Sequence, residues 1–143
     1  MLIGINPLLS GALLKILDEM GHGDRLLVVD RNYPAAASGH PVVRLGPAST
    51  EDVMTALLSV FPLDSFTRHP IERMEVDNDP TIVTAAQSAV LALARQQLSP
   101  DLEFSIVPRL EFYQRARDVF AVVQCLDARP YGCFIVHKGV VFD

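Results

Sequence analysis

The residues with the clearest chemical potential lie in a short turn near the amino terminus, Met20-Gly21-His22-Gly23-Asp24. Glycine on both sides leaves His22 on a tight, exposed backbone without an apolar neighbour to cover it. Histidine is the side chain that most readily exchanges a proton near neutral pH, and the end of a preceding helix favours its charged form. His22 is therefore a candidate catalytic acid or base. The alternative is that His22 only caps this helix while Asp24 starts the next strand.

A second candidate is Asp30, which directly follows the aliphatic run Leu26-Leu27-Val28-Val29. Open α/β sheets bind ligands in the crevice outside the carboxyl ends of their strands. A carboxylate at that position can accept hydrogen bonds from sugar hydroxyls. The alternative is a turn residue that caps the backbone of Arg31 and Asn32.

Two further segments place polar groups at the edges of predicted elements. Arg109 opens a predicted helix, where a cation opposes the helix dipole, so a ligand or a carboxylate partner would explain its presence. Tyr131 and Gly132 precede the last predicted strand, and the glycine lets backbone amides approach a ligand. The same segment would also serve as a hairpin turn without any function. Arg115 and Arg117, in contrast, are predicted to lie on a solvated helix face.

The familiar motifs for nucleotide binding, zinc proteolysis and serine hydrolysis, GxGxxG, GxxxxGK, HExxH and GxSxG, do not occur in the sequence. The remaining histidines, His40, His69 and His137, lack the spacing of metal ligands and are predicted to be surface or core residues. Cys125 and Cys133 are predicted to be reduced core thiols rather than a disulfide or part of a zinc site.

Alternating helices and strands must position these residues. Predicted helices cover residues 10–20, 49–61, 80–98 and 108–118, and predicted strands cover 26–29, 42–45, 71–76, 104–107, 120–125 and 133–142. Ser10 and Asp79 are the predicted N-caps of the first and third helices, and Gly21 is the predicted left-handed stop of the first. This alternation predicts one α/β domain over residues 1–143, with a central, mostly parallel sheet flanked by helices.

Composition limits the classes of partner and location. The net charge is −5, from 17 acidic and 12 basic residues without a basic block, which argues against nucleic acid or an anionic membrane as the main partner. The sequence has no apolar run as long as a membrane span and no secretory signal pattern, so we expect a cytoplasmic protein. Half of its 143 residues are apolar, more than one small core can hide, which predicts a homo-oligomer.

Taken together, the sequence resembles the fucose mutarotase and ribose pyranase family, and it is nearer to the fucose branch. The resemblance spans nearly the whole chain and rests on Pro7-Leu8-Leu9-Ser10, Leu13-Leu14, Met20 to Asp24, Asp30, Asn32-Tyr33-Pro34-Ala35, Arg109, Phe112-Tyr113-Gln114-Arg115-Ala116, Phe120-Ala121-Val122-Val123, Tyr131-Gly132 and Lys138-Gly139. The family commonly carries asparagine at the position of Cys133, so this chain departs from the pattern there. Because a thiol is a weak hydrogen-bonding group, we expect the backbone of this segment to bind instead.

The resemblance implies the family's α/β fold and a ring-shaped homo-oligomer, an octamer or decamer, with sites at subunit interfaces. It implies interconversion of the anomers or ring forms of a free monosaccharide such as L-fucose, without metal or cofactor. His22 matches the proton donor. Asp30, Arg109 and the segment Tyr131, Gly132 and Cys133 match the sugar-binding positions, with the segment supplied by a neighbouring subunit.

The expected function is therefore that of a sugar mutarotase, in which general acid and base catalysis opens and closes the sugar ring. A non-catalytic sugar-binding or regulatory protein on the same scaffold is the alternative. A structural ring subunit, whose polar turns only stabilise assembly, is a third possibility.

Overall fold

The computed structural model describes residues 2–142 and shows one six-stranded sheet with helices on both faces. Its strands are β1 Arg25–Val29, β2 Val42–Arg44, β3 Ile71–Met74, β4 Ser105–Val107, β5 Ala121–Gln124 and β6 Phe134–His137. Their order across the sheet is β2-β5-β1-β6-β3-β4. Five strands point the same way, and β6 runs antiparallel to its neighbours β1 and β3. The predicted α/β class with a mostly parallel sheet is confirmed.

The helices of the described chain are α1 Gly11–Glu19, α2 Thr50–Leu58, α3 Ala85–Gln97 and α4 Arg109–Arg115. Ser10 caps α1 as predicted, because its side chain accepts a hydrogen bond from the amide of Leu13. Ser49 and Asp52 form a reciprocal capping box at the start of α2. Short polar side chains therefore fix where these two helices begin.

The predicted start of the third helix at residue 80 is wrong. The side chain of Asp79 accepts hydrogen bonds from the amide and hydroxyl of Thr81, at 2.9 and 2.6 Å, and closes a turn instead. The helix begins at Ala85, after a capping box between Thr84 and Gln87. The sequence thus contains two possible N-caps five residues apart, Asp79 and Thr84, and the helix begins after Thr84.

The predicted left-handed stop at Gly21 is also wrong. Met20 ends α1 in an extended conformation, and the left-handed glycine is Gly23, with φ +86°. The side chain of Asp24 accepts a hydrogen bond of 2.7 Å from the amide of Gly21 and so closes the turn around His22. The turn that carries His22 is therefore stabilised by a residue of the turn itself, Asp24.

The last predicted strand, residues 133–142, is too long, because β6 ends at His137. Beyond it, Lys138 forms an isolated bridge with Leu63, and the amide of Gly139 donates to the carbonyl of Pro62 at 2.8 Å. The chain leaves the sheet here because its backbone groups pair with the loop after α2.

The sheet is buried on both faces. Leu26 and Val28 of β1 belong to the core beneath α1, α2 and α3, whereas Leu27 and Val29 belong to the core beneath α4. Successive side chains of a strand point to opposite faces, so a strand covered on both sides is apolar throughout. The uninterrupted aliphatic run therefore marks β1 as a central strand.

One buried carboxylate lies on the α4 face of the sheet. Glu72 is hydrogen-bonded to His137, at 2.8 Å, and to Arg115. Burial raises the pKa of Glu72, but these two partners outweigh it and leave the pKa below its usual value. Arg115, which was predicted to lie on a solvated helix face, has a side chain that is 41% exposed, and its guanidinium also pairs with the buried Glu72.

No helix within residues 2–142 is long and apolar enough to cross a membrane.

Candidate functional site

Strands β1, β3 and β4 end at one edge of the sheet, where the antiparallel β6 begins. A small open cavity of about 180 Å³ lies at this edge, and we call it the sheet-end cleft. It is lined by Asp30, Asn32, Tyr33, Met74, Arg109, Tyr113, Pro130, Tyr131 and Cys133. Four of the residues predicted from sequence as sugar-binding therefore share one cleft in one chain.

Asp30 lies at the base of this cleft and is only 2% exposed. Its Oδ1 accepts a hydrogen bond from the amide of Asn32 at 2.8 Å, and its Oδ2 accepts one from the amide of Gly132 at 3.1 Å. The turn-capping role and the binding position proposed for Asp30 are therefore compatible. Its carboxylate also ties the 131–133 segment to the end of β1.

Tyr131 has a left-handed backbone, with φ +64°. Its hydroxyl donates to Oδ1 of Asp77 at 2.6 Å, and its carbonyl accepts from the side chain of Gln87 at 3.3 Å. The hydrogen bond with Asp77 raises the pKa of Tyr131, which keeps the phenol protonated. A left-handed conformation in a non-glycine residue costs about 1–3 kcal/mol and is commonly found at functional sites.

Gly132 is required by close packing rather than by its backbone angles. A Cβ atom at this position would lie 2.8 Å from the hydroxyl oxygen of Thr50 and 3.5 Å from Cβ of Asp30. That hydroxyl is itself held, since it donates to Oδ2 of Asp127 at 3.0 Å. Glycine therefore allows the segment to pack against both the start of α2 and the end of β1.

Cys133 is buried beside Asp30, with its Sγ 3.6 Å from Oδ2 of the carboxylate. Burial, together with the adjacent charge of Asp30, raises the pKa of this thiol well above its usual value. Cys133 is thus a neutral hydrogen-bond donor rather than a nucleophile. Cys125 is likewise buried and free, as predicted for a reduced core thiol.

Arg109 is the first residue of α4 and lines the cleft with an exposed side chain. Within residues 2–142 its guanidinium has neither an ion pair nor a hydrogen bond, so no carboxylate of the described chain explains a cation at a helix start. On the same wall, the rings of Tyr33 and Tyr113 stack with their centroids 5.4 Å apart. Burial raises the pKa of Tyr33 to about 12. Among the described residues, the cleft thus combines a buried carboxylate, a guanidinium without a partner and aromatic faces.

His22 lies at the opposite edge of the sheet. Its turn precedes β1 whereas Asp30 follows it, so the length of the strand, about 16 Å at roughly 3.3 Å per residue, separates the two. The His22 side chain is 48% exposed, with its Nε2 3.2 Å from Oδ1 of Asp64 and its ring centroid 5.4 Å from that of Phe66. A single chain therefore does not bring His22 to the cleft.

Within one chain, Gly132 and Cys133 already contact Asp30. That a neighbouring subunit supplies the 131–133 segment to the site stays a prediction.

Sequence reasoning missed Asp64, Asp77, Tyr33 and Tyr113 as site residues. Both tyrosines lie inside segments that carry the family resemblance, Asn32-Tyr33-Pro34-Ala35 and Phe112 to Ala116, and this was the available signal. No motif marks the two aspartates, which reach the site only through the fold. Among residues 2–142, no group of three or more histidine, cysteine or acidic side chains is arranged to hold a metal ion.

The model of the RbsD / FucU transport protein family matches residues 3–141. The chain is 34% identical over 140 residues to a protein named L-fucose mutarotase from Histophilus somni, covering 98% of this chain and 97% of the relative.

Two crystal structures share the fold along their whole length. FucU from Bifidobacterium longum has a TM-score of 0.90 at 34% identity, covering 97% of this chain and 99% of that one. The fucose mutarotase from Streptococcus pneumoniae in complex with L-fucose has a TM-score of 0.81 at 29% identity, covering 99% and 100% of the two chains.

Proposed function

Because the chain belongs to the RbsD / FucU transport protein family, we propose that it is a monosaccharide mutarotase that interconverts the α and β anomers of a free sugar, L-fucose foremost. The observation that carries this proposal is the sheet-end cleft, where a buried carboxylate, a guanidinium unpaired within residues 2–142 and a strained tyrosine converge. Its likeness to a fucose mutarotase crystallised with L-fucose supports the choice of sugar.

Ring opening needs one group that removes a proton and one that donates a proton. A base removes the proton of the anomeric hydroxyl, the bond between C1 and the ring oxygen breaks, and the ring oxygen takes a proton. The resulting aldehyde rotates and recloses on its other face. His22 exchanges the proton with the ring oxygen, since a positioned histidine accelerates such transfers by about 10²–10⁴. The protein has to supply only proton transfers for these steps, and we propose that no metal or cofactor takes part.

Binding of the sugar is assigned to the cleft. Asp30 accepts hydrogen bonds from sugar hydroxyls, and Arg109 donates to them. Tyr131 contributes its hydroxyl and ring, and aromatic faces pack well on the apolar side of a sugar. The backbone at Gly132 and Cys133 holds the segment against Asp30.

A complete site then needs two copies of the chain. The His22 turn of one subunit meets the cleft of another, and the apolar surface beside His22 supports this arrangement. Phe66 and Phe142 are 70% and 69% exposed, and their ring centroids are 6.4 Å apart. We call this pair the His22-side patch. Large exposed aromatic side chains of this kind mark protein interfaces. The proposal extends to a ring-shaped octamer or decamer and to a cytoplasmic location.

Exchange NMR on the two anomers of L-fucose tests the proposed function directly. The protein is expected to speed anomer exchange, and His22→Ala is expected to lower the rate by about 10²-fold or more. His40→Ala is the matched control, because His40 lies outside both the His22 turn and the cleft. Fucose binding without faster exchange by the unaltered protein would contradict the proposal and favour a sugar-binding role.

A further inference from the structure

Asp64 is a nearly buried carboxylate, 7% exposed, whose Oδ1 lies 3.2 Å from Nε2 of His22. We propose that Asp64 is a positioning residue that fixes the tautomer and orientation of His22. The inference rests on the proposed function in one respect only, that His22 is the group that exchanges the proton.

The backbone places Asp64 beside His22 through the end of β6. Leu63 forms a bridge with Lys138, and the amide of Asp64 donates to the carbonyl of His137 at 3.1 Å. The chain approaches so closely here that a Cβ atom at Gly139 would lie 2.3 Å from the carbonyl oxygen of Leu63. The loop that carries Asp64 is therefore held tightly against β6.

The turn that carries His22 is attached to the same strand end. The amide of Gly23 donates to the carbonyl of Lys138 at 2.9 Å, and the amide of Lys138 donates to the carbonyl of Asp24 at 2.8 Å. The loop of Asp64 and the turn of His22 are thus both hydrogen-bonded to residues 137–139. These backbone hydrogen bonds set the distance between the side chains of Asp64 and His22. The contact is a product of the fold and not of two mobile surface groups.

The hydrogen-bonding pattern determines the tautomer of His22. A carboxylate oxygen can only accept, and Oδ1 of Asp64 also accepts from the amide of Phe66 at 2.9 Å. Nε2 of His22 must therefore carry the hydrogen, which leaves the lone pair on Nδ1. When Nδ1 takes a proton, Nε2 keeps its hydrogen bond to the carboxylate. Nδ1 is then the atom that exchanges the proton with the sugar.

Phe66 restricts the imidazole further. Its ring centroid lies 5.4 Å from that of His22, with the planes inclined by 51°. Because Asp64 fixes one edge of the ring and Phe66 packs beside it, the half-exposed His22 has little freedom to turn away. Pre-organisation of this kind lowers the cost of reaching a reactive geometry.

NMR of the histidine ring nitrogens in the full-length protein measures this role without any sugar. The unaltered protein is expected to show His22 with its hydrogen on Nε2. Asp64→Ala is expected to give a mixture of both tautomers, and Asp64→Asn is expected to keep the Nε2 form because its amide oxygen still accepts. Asp18→Asn is the matched control, since it removes a charge of α1 that has no hydrogen bond or ion pair with His22 within residues 2–142, and it should change nothing.

Measuring the rate of anomer exchange in the same variants tests whether the tautomer of His22 affects catalysis. Asp64→Ala is expected to lower kcat at least tenfold with KM changed less than threefold, and Asp64→Asn is expected to fall between Ala and the unaltered protein. Asp64→Asn is nearly isosteric, so it remains informative if Asp64→Ala does not fold. Asp64→Glu restores a carboxylate and is expected to recover part of the rate lost in Asp64→Ala.

The two proposals fail in different ways. An unaltered protein that exchanges no sugar would contradict the proposed function, while the tautomer would still report on Asp64. A His22 that keeps its Nε2 hydrogen in Asp64→Ala, or full kcat in that variant, would overturn the role of Asp64.

Discussion

Tyr131 is held at the cleft in an unusual backbone conformation. Its backbone is left-handed, with φ +64°, although glycine would adopt that conformation at lower cost, and its hydroxyl and carbonyl are both hydrogen-bonded. A large side chain kept in a costly conformation points to a role for the phenol. We propose that this role is sugar binding.

Tyr131→Phe tests this assignment because it removes only the hydroxyl. We expect KM for the sugar to rise about 5- to 10-fold, the loss of one hydrogen bond of about 1–1.5 kcal/mol, with kcat within twofold. Exchange rates measured over a range of sugar concentrations separate the two constants. Asp77→Asn retains an acceptor for the phenol and serves as the control. An unchanged KM in Tyr131→Phe would show that the hydroxyl only bonds to Asp77.

At the scale of elements, the start of α2 and the turn before β6 are joined by one carboxylate. Oδ2 of Asp127 accepts hydrogen bonds from the amide and hydroxyl of Thr50, both at 3.0 Å, and both of its oxygens accept from Arg129. Arg129 also pairs with Glu51. Because Thr50 contacts Gly132, this network supports the segment that carries Tyr131.

Asp127→Asn is expected to destabilise the protein by about 2–3 kcal/mol at pH 7, since the negative charge is lost and one acceptor oxygen remains where Thr50 and Arg129 used two. Hydrogen bonds from Arg129 hold the pKa of Asp127 far below its usual range. The carboxylate therefore stabilises the folded state above its unfolded pKa of about 3.9, and this contribution is lost as the pH falls further.

Urea unfolding at several pH values measures both effects. The difference in unfolding free energy between the unaltered protein and Asp127→Asn should narrow below about pH 4. Asp101→Asn, an exposed acid without a side-chain hydrogen bond in the described chain, should match the unaltered protein throughout. A difference that stays constant with pH would mean that Asp127 acts through packing and not through its charge.

At the scale of the whole molecule, the sheet separates two halves of the proposed site. The cleft lies where β1 ends, and His22 lies where β1 begins, next to the His22-side patch of Phe66 and Phe142. The same apolar surface that would be unfavourable in water would be buried between subunits. Assembly and catalysis are therefore expected to depend on the same face.

Phe66→Ser is expected to weaken the oligomer at least tenfold, because burying a phenylalanine side chain contributes about 1.5–3 kcal/mol per contact. Sedimentation velocity over a dilution series gives the association state, and exchange NMR at the same concentrations gives the activity. Ile82→Ser replaces a partly exposed apolar residue outside the patch and should leave the assembly intact. An unchanged oligomer in Phe66→Ser would place the interface elsewhere.

Several features of the fold were predictable because they are local. The aliphatic run before Asp30 identified the central strand, and Ser10 marked the beginning of α1. Predictions failed where two local signals competed or where a distant segment intervened. Asp79 was displaced as a cap by Thr84, and β6 was shortened by pairing of Lys138 with the loop after α2.

The residues of the candidate site also fall into a group that local sequence predicts and a group that it does not. His22, Asp30, Arg109 and the 131–133 segment were identified from residue type, spacing and family resemblance, because each sits in a short motif at the end of an element. Asp64 and Asp77 were not, because their contacts span 42 and 54 residues of sequence. No local pattern encodes a partner so far along the chain.

The sequence by itself determined the fold class, the family and the chemical groups, since periodicity, caps and short motifs act over a few residues. Only the tertiary structure decided how those groups are distributed. Strand order and direction place Asp30, Arg109 and Tyr131 at one edge and His22 with Asp64 at the other. The physical reason is that side chains distant in sequence meet only through the pairing of strands, which depends on the whole chain at once.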